Sequence, residues 1–476
     1  MNIRKKINLV LKEFVDFLEK VEKEKNDDGK EIGRAPIWYA IHMVKNGKHK
    51  IVAYSGRLWI YYKGTYISID SRAKTLDFVM KCILKVDGEE FVAASLVEKV
   101  SNELFMQYYE LSPYEDKEVT YINMLSNVLA IHKDGTIEKV SHDEKFNFTY
   151  QLPYDYDENT KSPVFDKFLD TSLVDPELIN VIGEYLGYVL NTNAKNHEKS
   201  LFLYGDGSNG KSTLINIIKA MFGVENISVV ELTEMGDMLK CSLMDGKLLN
   251  LSSDSKKTGL DTAAFKKISS GEPVLGKYLF KDIYTIEKLP KLLVAMNKLP
   301  FHNGDNSFGF YRRLLLVPFN VTITEENKDY DLESKVIANE LPAILNFAID
   351  GMRRLSKQGS FTEAKAMKEA MNSYKESSNH VATFLEEERY EAVDPSLKKG
   401  TSLTDLFQDF KYWCLALGHN PYSATYLSNE LNHLGYIGYK NSSKHYRIVK
   451  KKLEKETGFK PVNHISKSEY EIKKNK

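Results

Sequence analysis

The chain has 476 residues, more than one domain usually holds, so two to four domains are expected. Its 66 Lys and Arg balance 66 Asp and Glu, which excludes a chain that is basic throughout and confines any nucleic-acid surface to local patches. Hydrophobic residues at 42% and charged residues at 28% suit a soluble globular protein, and no run approaches the ~20 apolar residues of a membrane helix. Cys82, Cys241 and Cys414 lie far apart without C-x-x-C spacing, which argues against a zinc site or disulfide framework and fits a reducing cytoplasm.

Residues 5–25 read as one amphipathic helix. Ile7, Val10, Leu11, Phe14, Phe17, Leu18 and Val21 share a face, and Lys12, Glu13 and Asp16 interrupt any leader-like run. Strand-like segments follow at Ile37–Ile41, Lys50–Tyr54 and Leu58–Tyr62, with Gly56 and Gly64 where hairpin turns belong. The aromatics of this small sheet are expected to pack on one another rather than stack on bases. Residues 74–110 carry helical patterning, a hairpin centres on Asp134-Gly135, and residues 163–191 are strongly helical in period.

Residues 201–223 carry the most specific signal. Leu201–Tyr204 is a short apolar run, and Gly205-Asp206-Gly207-Ser208-Asn209-Gly210-Lys211-Ser212 matches G-x-x-x-x-G-K-[ST], the phosphate-binding P-loop. From Thr213, apolar Leu214, Ile217, Ile218 and Met221 recur at helical spacing. The chemistry requires this order: glycines let backbone N–H groups turn inward around phosphates, and the helix offers its positive end. Lys211 then reaches the β- and γ-phosphates of ATP, and the Ser212 hydroxyl is a ligand for Mg²⁺.

A second buried strand, Leu248–Leu251, ends near Asp254, 42 residues after Ser212. A carboxylate at the end of a neighbouring parallel strand is where an ATPase holds Mg²⁺ or polarises water. Residues 264–288 read as a helix end and two short strands around Gly276, with Lys266, Lys267, Lys277 and Lys281 interspersed. These lysines are either a solvated face or contacts to a DNA backbone. Lys291–Asn297 is a further buried strand, and Asn297 is either a partner of the γ-phosphate and lytic water or a strand-end turn residue. Arg312 and Arg313 precede the strand Leu314–Phe319; they are surface charge, or a finger that neutralises a phosphoryl group in a neighbouring subunit.

After Lys398-Lys399-Gly400, two helices (Ser402–Leu417, Ser423–Leu434) and two strands (Tyr436–Tyr439, His445–Val449) form a winged-helix pattern. Tyr422, Ser423, Thr425, Ser428, Asn429, Asn432 and His433 would face a major groove, with Lys440, Lys444 and Arg447 on the wing. From Lys398 on, fifteen Lys and Arg stand against seven Asp and Glu, which favours duplex DNA over a module for subunit contacts.

The ordered set GDGSNGKS, GKLLNLSSD, FKKISSGEPVLGKYLFKD, LLVAMNKLP and YRRLLLVPF resembles the superfamily 3 helicases. The likeness is greatest to the phage and plasmid primase/poxvirus-type branch, which includes replication initiators of mobile elements in Gram-positive bacteria, and it spans about residues 120–390. The resemblance implies an α/β P-loop core of the AAA+-like kind in a homo-oligomeric, hexameric ring on single-stranded DNA, working in the cytoplasm of a bacterial host. Carried over by position, Gly205–Thr213 bind ATP, Ser212 and Asp254 hold Mg²⁺, and Asn297 is sensor 1. Arg312 and Arg313 fall in the arginine-finger region, and Lys277 and Lys281 on the DNA-contacting hairpin. Where the family often has a second acid, Ser253 precedes Asp254.

The boundaries expected are an α+β domain at 1–115, a helical domain at 116–198, the ATPase core at 199–325, a helical lid and linker at 326–394, and the winged helix at 395–476. The N-terminal ~120 residues are too few for the primase that many relatives carry plus a connector, so a separate primase or host replication proteins become candidate partners. Two other classes stay open: an ATP-switched DNA-binding or assembly protein that does not unwind, and a family member without turnover.

Overall fold

The computed structural model describes residues 3–22, 25, 27–69, 71–89, 92–106, 116, 118–191, 197–253, 261–278, 283–297, 308–324, 326, 328–377, 380–393, 400–416, 421–436, 438–441, 444–447 and 449–451. Chain contacts divide it into two units, the first running to Ala370 and the second from Met371. Among the described residues no helix is long and apolar enough to cross a membrane.

The first unit opens with α1 (Ile3–Phe17) and α2 (Pro36–Asn46), then the antiparallel strands β1 (Ile51–Tyr54), β2 (Arg57–Tyr62) and β3 (Thr65–Ser68), then α3 (Arg72–Asp87) and α4 (Ala94–Met106). Residues Ile37–Ile41, expected as a strand, lie instead in α2. Pro36 is well placed at a first helical turn, and Tyr39, Ala40 and Met43 form a buried helical stripe. Packing of that stripe overrides the strand preference of Ile, Trp and Tyr. Phe14, Phe78, Val79, Ile83 and Ile60 meet in one core, so this region has an interior of its own.

A three-stranded antiparallel meander follows, β4 (Val119–Asn123), β5 (Val128–His132) and β6 (Ile137–Val140), turning at Asp134-Gly135 as expected. Helices α5 (Pro163–Leu173) and α6 (Pro176–Leu190) lead into β7 (Ser200–Tyr204), α7 (Lys211–Phe222) and β8 (Ile227–Ser228). The chain continues through α8 (Met238–Cys241), β9 (Leu249–Ser252), α9 (Thr262–Ser270), the hairpin β10 (Val274–Lys277) and β11 (Ile283–Ile286), β12 (Lys291–Met296), α10 (Phe308–Tyr311) and β13 (Leu314–Pro318).

Five of these strands form one parallel sheet in the order β13-β7-β12-β9-β8. Its strands are almost wholly buried, and β7 and β13 read as near-continuous apolar runs, as strands covered on both faces must, while β9 buries Asn250 and Ser252 in alternation with its leucines. The sheet corrects one expectation. β9, which precedes Asp254, does not neighbour β7; β12 lies between them, because Leu292, Leu293 and Val294 are buried and pair on both sides. A second correction concerns Gly276, which sits inside β10 opposite Tyr284 rather than at the turn. A Cβ there would come within 2.7 Å of Ile286 and 3.1 Å of Tyr284, so the close cross-strand packing needs glycine.

Two further helices, α11 (Leu332–Asn339) and α12 (Leu341–Gln358), close this unit, and α13 (Lys365–Ser377) lies across the division. α12 crosses α6 backbone to backbone: a Cβ on Gly351 would fall 2.1 Å from the carbonyl of Gly183. Beside the crossing, fully buried Glu184 accepts from Arg354 Nε at 2.8 Å and from Thr362 N and Oγ1 at 2.8 and 2.6 Å. Glu340, at the head of α12, accepts from the backbone N–H groups of Val164 and Phe165 and so caps α5 from a distant part of the chain.

The second unit contains α14 (His380–Glu387), β14 (Tyr390–Ala392), β15 (Thr401–Ser402), α15 (Leu403–Ala416), α16 (Ala424–His433), β16 (Gly438–Asn441), β17 (Lys444–Arg447) and β18 (Val449–Lys451). It starts earlier than residue 395 because Val381, Phe384 and Leu385 share a core with Leu406, Phe410 and Trp413. The expected pair of strands becomes a three-stranded sheet, β15-β17-β16, with β18 pairing β14 beside it.

Candidate functional site

The site centres on the loop between β7 and α7. β7 has parallel partners on both sides, so its carboxyl end opens into the crevice where such sheets bind ligands. Gly205 leaves the strand at φ +151°, and a Cβ there would lie 2.3 Å from the Phe319 carbonyl oxygen. Gly210, at φ +91°, enters the helix against Ser172 and Phe168. Both positions require glycine, whereas Gly207 has open space around it and φ outside the left-handed range.

Lys211 is buried at the first turn of α7. Its Nζ donates to the carbonyls of Gly205 (2.6 Å) and Asp206 (3.0 Å) and to Asn209 Oδ1 (2.9 Å). Asn209 is buried too and anchors the loop through Nδ2, which donates to the Phe319 carbonyl at 3.0 Å and to the Asp206 carbonyl. Ile323 N donates to the Ser208 carbonyl at 2.7 Å and ties the tip of the loop to the segment after β13. The Ser212 side of the helix start is exposed, and Thr213 is half-buried. The arrangement is an ammonium ringed by oxygen acceptors at the positive end of a twelve-residue helix. An anionic oxygen there would exchange neutral acceptors of Lys211 for a charge-assisted bond.

Asn297 follows β12 directly, and register places Met296 opposite Tyr204, the last residue before the loop. Asn297 is exposed at that edge, one residue beyond the level at which the loop begins. Burial pushes the Tyr204 phenol up from its ordinary range. Asp254 lies outside the described residues, as does Lys281. β9 ends at Ser252, which pairs with Val294 two rungs short of Met296.

The structure adds a residue that sequence reading missed. Glu231 lies three residues past β8 and reaches across the end of β9. Its carboxylate accepts from Ser252 Oγ at 2.7 Å, Ser253 N at 3.1 Å and Ser253 Oγ at 3.2 Å. Nothing local in VVELTEM announces this, since only the pairing of β8 with β9 brings Glu231 to the residue before Asp254.

Arg312 and Arg313 differ sharply. Arg313 is 7% exposed and donates to Ser270 Oγ at 2.6 Å and to the Gly309 carbonyl at 2.5 Å, with Glu198 at 2.9 Å. Arg312 is exposed, and its guanidinium also pairs with Glu198. Lys199 donates to the Arg312 carbonyl at 2.5 Å, and burial lowers its pKa.

Lys277 is the last residue of β10, half-buried, opposite Ile283. In the second unit, Lys440 is exposed on β16, and Lys444 and Arg447 occupy register positions opposite Asn441 and Gly438. Ser423 caps α16 by accepting from Tyr426 N, and Thr425 and Asn429 are exposed on that helix. Tyr422 packs inward against Phe410 and Tyr426 instead of facing outward. Among the described residues, no group of three or more His, Cys, Asp or Glu is placed to hold a metal ion.

Residues 203–313, which contain the loop, the hairpin and both arginines, match the model of a family of unknown function (DUF5906). Among solved structures, the A-form apo structure of the NrS-1 C-terminal region is similar at 12% identity and a TM-score of 0.48, covering 87% of this chain and 99% of that one. A second apo structure of the same region is similar at 12% identity and a TM-score of 0.47, covering 88% and 99%. At that identity and degree of superposition, the likeness bears on neither the fold nor the activity of this chain.

Proposed function

We propose that the chain is an ATP-driven DNA helicase of the superfamily 3 kind that acts in replication of a mobile genetic element. Its first unit is the motor, and its second unit, read as a winged helix, binds duplex DNA. The observation that carries this reading is the Lys211 ammonium, buried within the carbonyl ring of a G-x-x-x-x-G-K-S loop at the head of α7.

The residues fit a triphosphate with Mg²⁺. The N–H groups at the start of α7 and the Lys211 ammonium are donors without competing carboxylates on the loop except Asp206, and the Ser212 hydroxyl stands at the open side. Mg²⁺, when bound, neutralises charge on the β- and γ-phosphates. In this reading Lys211 leaves the Gly205 and Asp206 carbonyls for phosphate oxygens while Asn209 keeps the loop on Phe319. Asn297 orients the attacking water from the strand beside β7. Asp254 and Glu231 supply carboxylates at the end of β9, and Arg312 reaches a phosphate held by the next copy in a ring. Lys277 and Lys281 contact one strand of DNA, and Lys440, Lys444 and Arg447 contact duplex.

Nucleotide binding tests the site. Wild type should bind ATP with Mg²⁺, and Lys211→Ala should bind at least tenfold more weakly while still unfolding in a single cooperative melt. Equal affinities would remove the loop from the account.

A further inference from the structure

Residues 1–118, ahead of the meander, have no part in the reading above, yet among the described residues they touch the hairpin β10–β11. Arg57 opens β2 of the N-terminal sheet, and its guanidinium carbon lies 3.8 Å from the centre of the Tyr278 ring. Tyr278 immediately follows Lys277 at the end of β10. Its ring stacks on Tyr284 of β11, with centres 4.9 Å apart and planes 21° from parallel. The Tyr278 hydroxyl donates to Asp245 Oδ2 at 3.4 Å, from the turn that leads into β9. Three elements therefore meet on one ring: the N-terminal sheet, the central sheet and the hairpin.

The N-terminal side of this contact is fixed. Trp59, two residues along β2, is buried and donates from Nε1 to the Tyr54 carbonyl at 3.1 Å. Gly246, beside Asp245 at φ +72°, is close enough to Trp59 that a Cβ would lie 3.4 Å from its ring. The far side of the hairpin is open by comparison. A cavity of about 460 Å³ separates Tyr278, Ile283 and Tyr284 from Thr75, Ser101 and Phe105 of α3 and α4. Leu275 and Ile283 are 53% and 52% exposed. A hairpin gripped at its base and open along its flank takes its angle from the grip.

Resting on the helicase reading, we propose that Arg57 is a positioning residue for DNA engagement: through Tyr278 it sets the angle at which the Lys277 end of the hairpin meets a phosphate backbone. The N-terminal sheet then belongs to the DNA-handling apparatus of the motor. Arg57 contacts neither nucleotide nor DNA in this scheme, so its loss should weaken the response to DNA and leave the chemistry alone.

The test is ATPase activity of the full chain titrated with single-stranded oligothymidylate. Arg57→Met, which keeps the stem and removes the charge, should raise the KM for DNA about fivefold or more with basal hydrolysis and kcat unchanged. Arg57→Lys should recover part of the loss, because an ammonium also sits on an aromatic face. Tyr278→Phe should behave as wild type, Tyr278→Ala as Arg57→Met, and the double variant no worse than either. An unchanged KM in Arg57→Met overturns the inference and leaves the helicase reading intact. A fall in basal hydrolysis and melting temperature in step, without a selective KM change, also overturns it by reducing Arg57 to a packing role. Wild-type hydrolysis indifferent to DNA would remove the helicase reading, and this inference with it.

Discussion

Arg312 and Arg313 share one carboxylate, Glu198, but face different surroundings: Arg313 is sealed against Ser270 and the Gly309 carbonyl, whereas Arg312 is exposed. Of the two, only Arg312 has a guanidinium open to a neighbouring copy. Arg312→Ala should leave the melting temperature within the range of a surface change, about 0.5 kcal/mol, while abolishing hydrolysis in the assembled form but not ATP binding. Arg313→Ala should cost about 2–3 kcal/mol, because it strips buried polar partners as well as a charge. Thermal melts paired with phosphate release separate them. Equal destabilisation by both would refute the division of roles.

Glu231 holds the end of β9 through three acceptor contacts. Glu231→Gln keeps an oxygen acceptor but removes the charge. In the proposed motor it should bind ATP as wild type does and hydrolyse it about tenfold or more slowly. Nucleotide titration and phosphate release on one preparation check this, and undiminished turnover would reduce Glu231 to a cap on the strand.

Glu184 is fully buried and held by Arg354 and Thr362. Arg354→Ala leaves that carboxylate in the interior with the threonine alone and should cost about 3 kcal/mol. Glu184→Gln should cost less, since its side chain is neutral. At the nearby crossing of α6 and α12, Gly351→Ala forces a methyl into the Gly183 backbone and should destabilise by about 2 kcal/mol or more. Denaturant midpoints give both values.

Asp245 gives a pH signature. Burial pushes its carboxyl up, against the opposing pull of Arg57 and Lys288 and the hydroxyls of Tyr278 and Tyr284. Because the pKa is raised in the folded state, Asp245 contributes most to stability when protonated. That contribution is present below the ordinary aspartate range and is lost as pH rises through the raised value. Asp245→Asn should therefore melt above wild type at neutral pH, with the gap closing near pH ~4. A gap that widened on acidification would reverse the sign.

Much of this molecule was legible in the sequence wherever local chemistry decides local shape. The Gly205–Ser212 spacing, the apolar runs of β7, β12 and β13 and the Asp134-Gly135 turn each carry their conformation in neighbouring residues. Residues 37–41 were misread because Ile, Trp and Tyr favour a strand in isolation, and only packing of Tyr39 and Met43 selects the helix. Strand order was not legible, since nothing in Leu292–Val294 states that β12 separates β9 from β7. Glu231, Glu198 and Arg57 were missed for the same reason. Each acts on a partner 21 or more residues away, and no periodicity encodes such meetings.

The central claim is that cleavage of ATP at the Lys211 loop drives strand separation, and the most direct measurement is displacement of one strand of a forked duplex by purified protein. The account predicts ATP- and Mg²⁺-dependent displacement by wild type and none by Lys211→Ala, with duplex still bound by both. Binding of the fork without displacement, or displacement by Lys211→Ala at the wild-type rate, would contradict it.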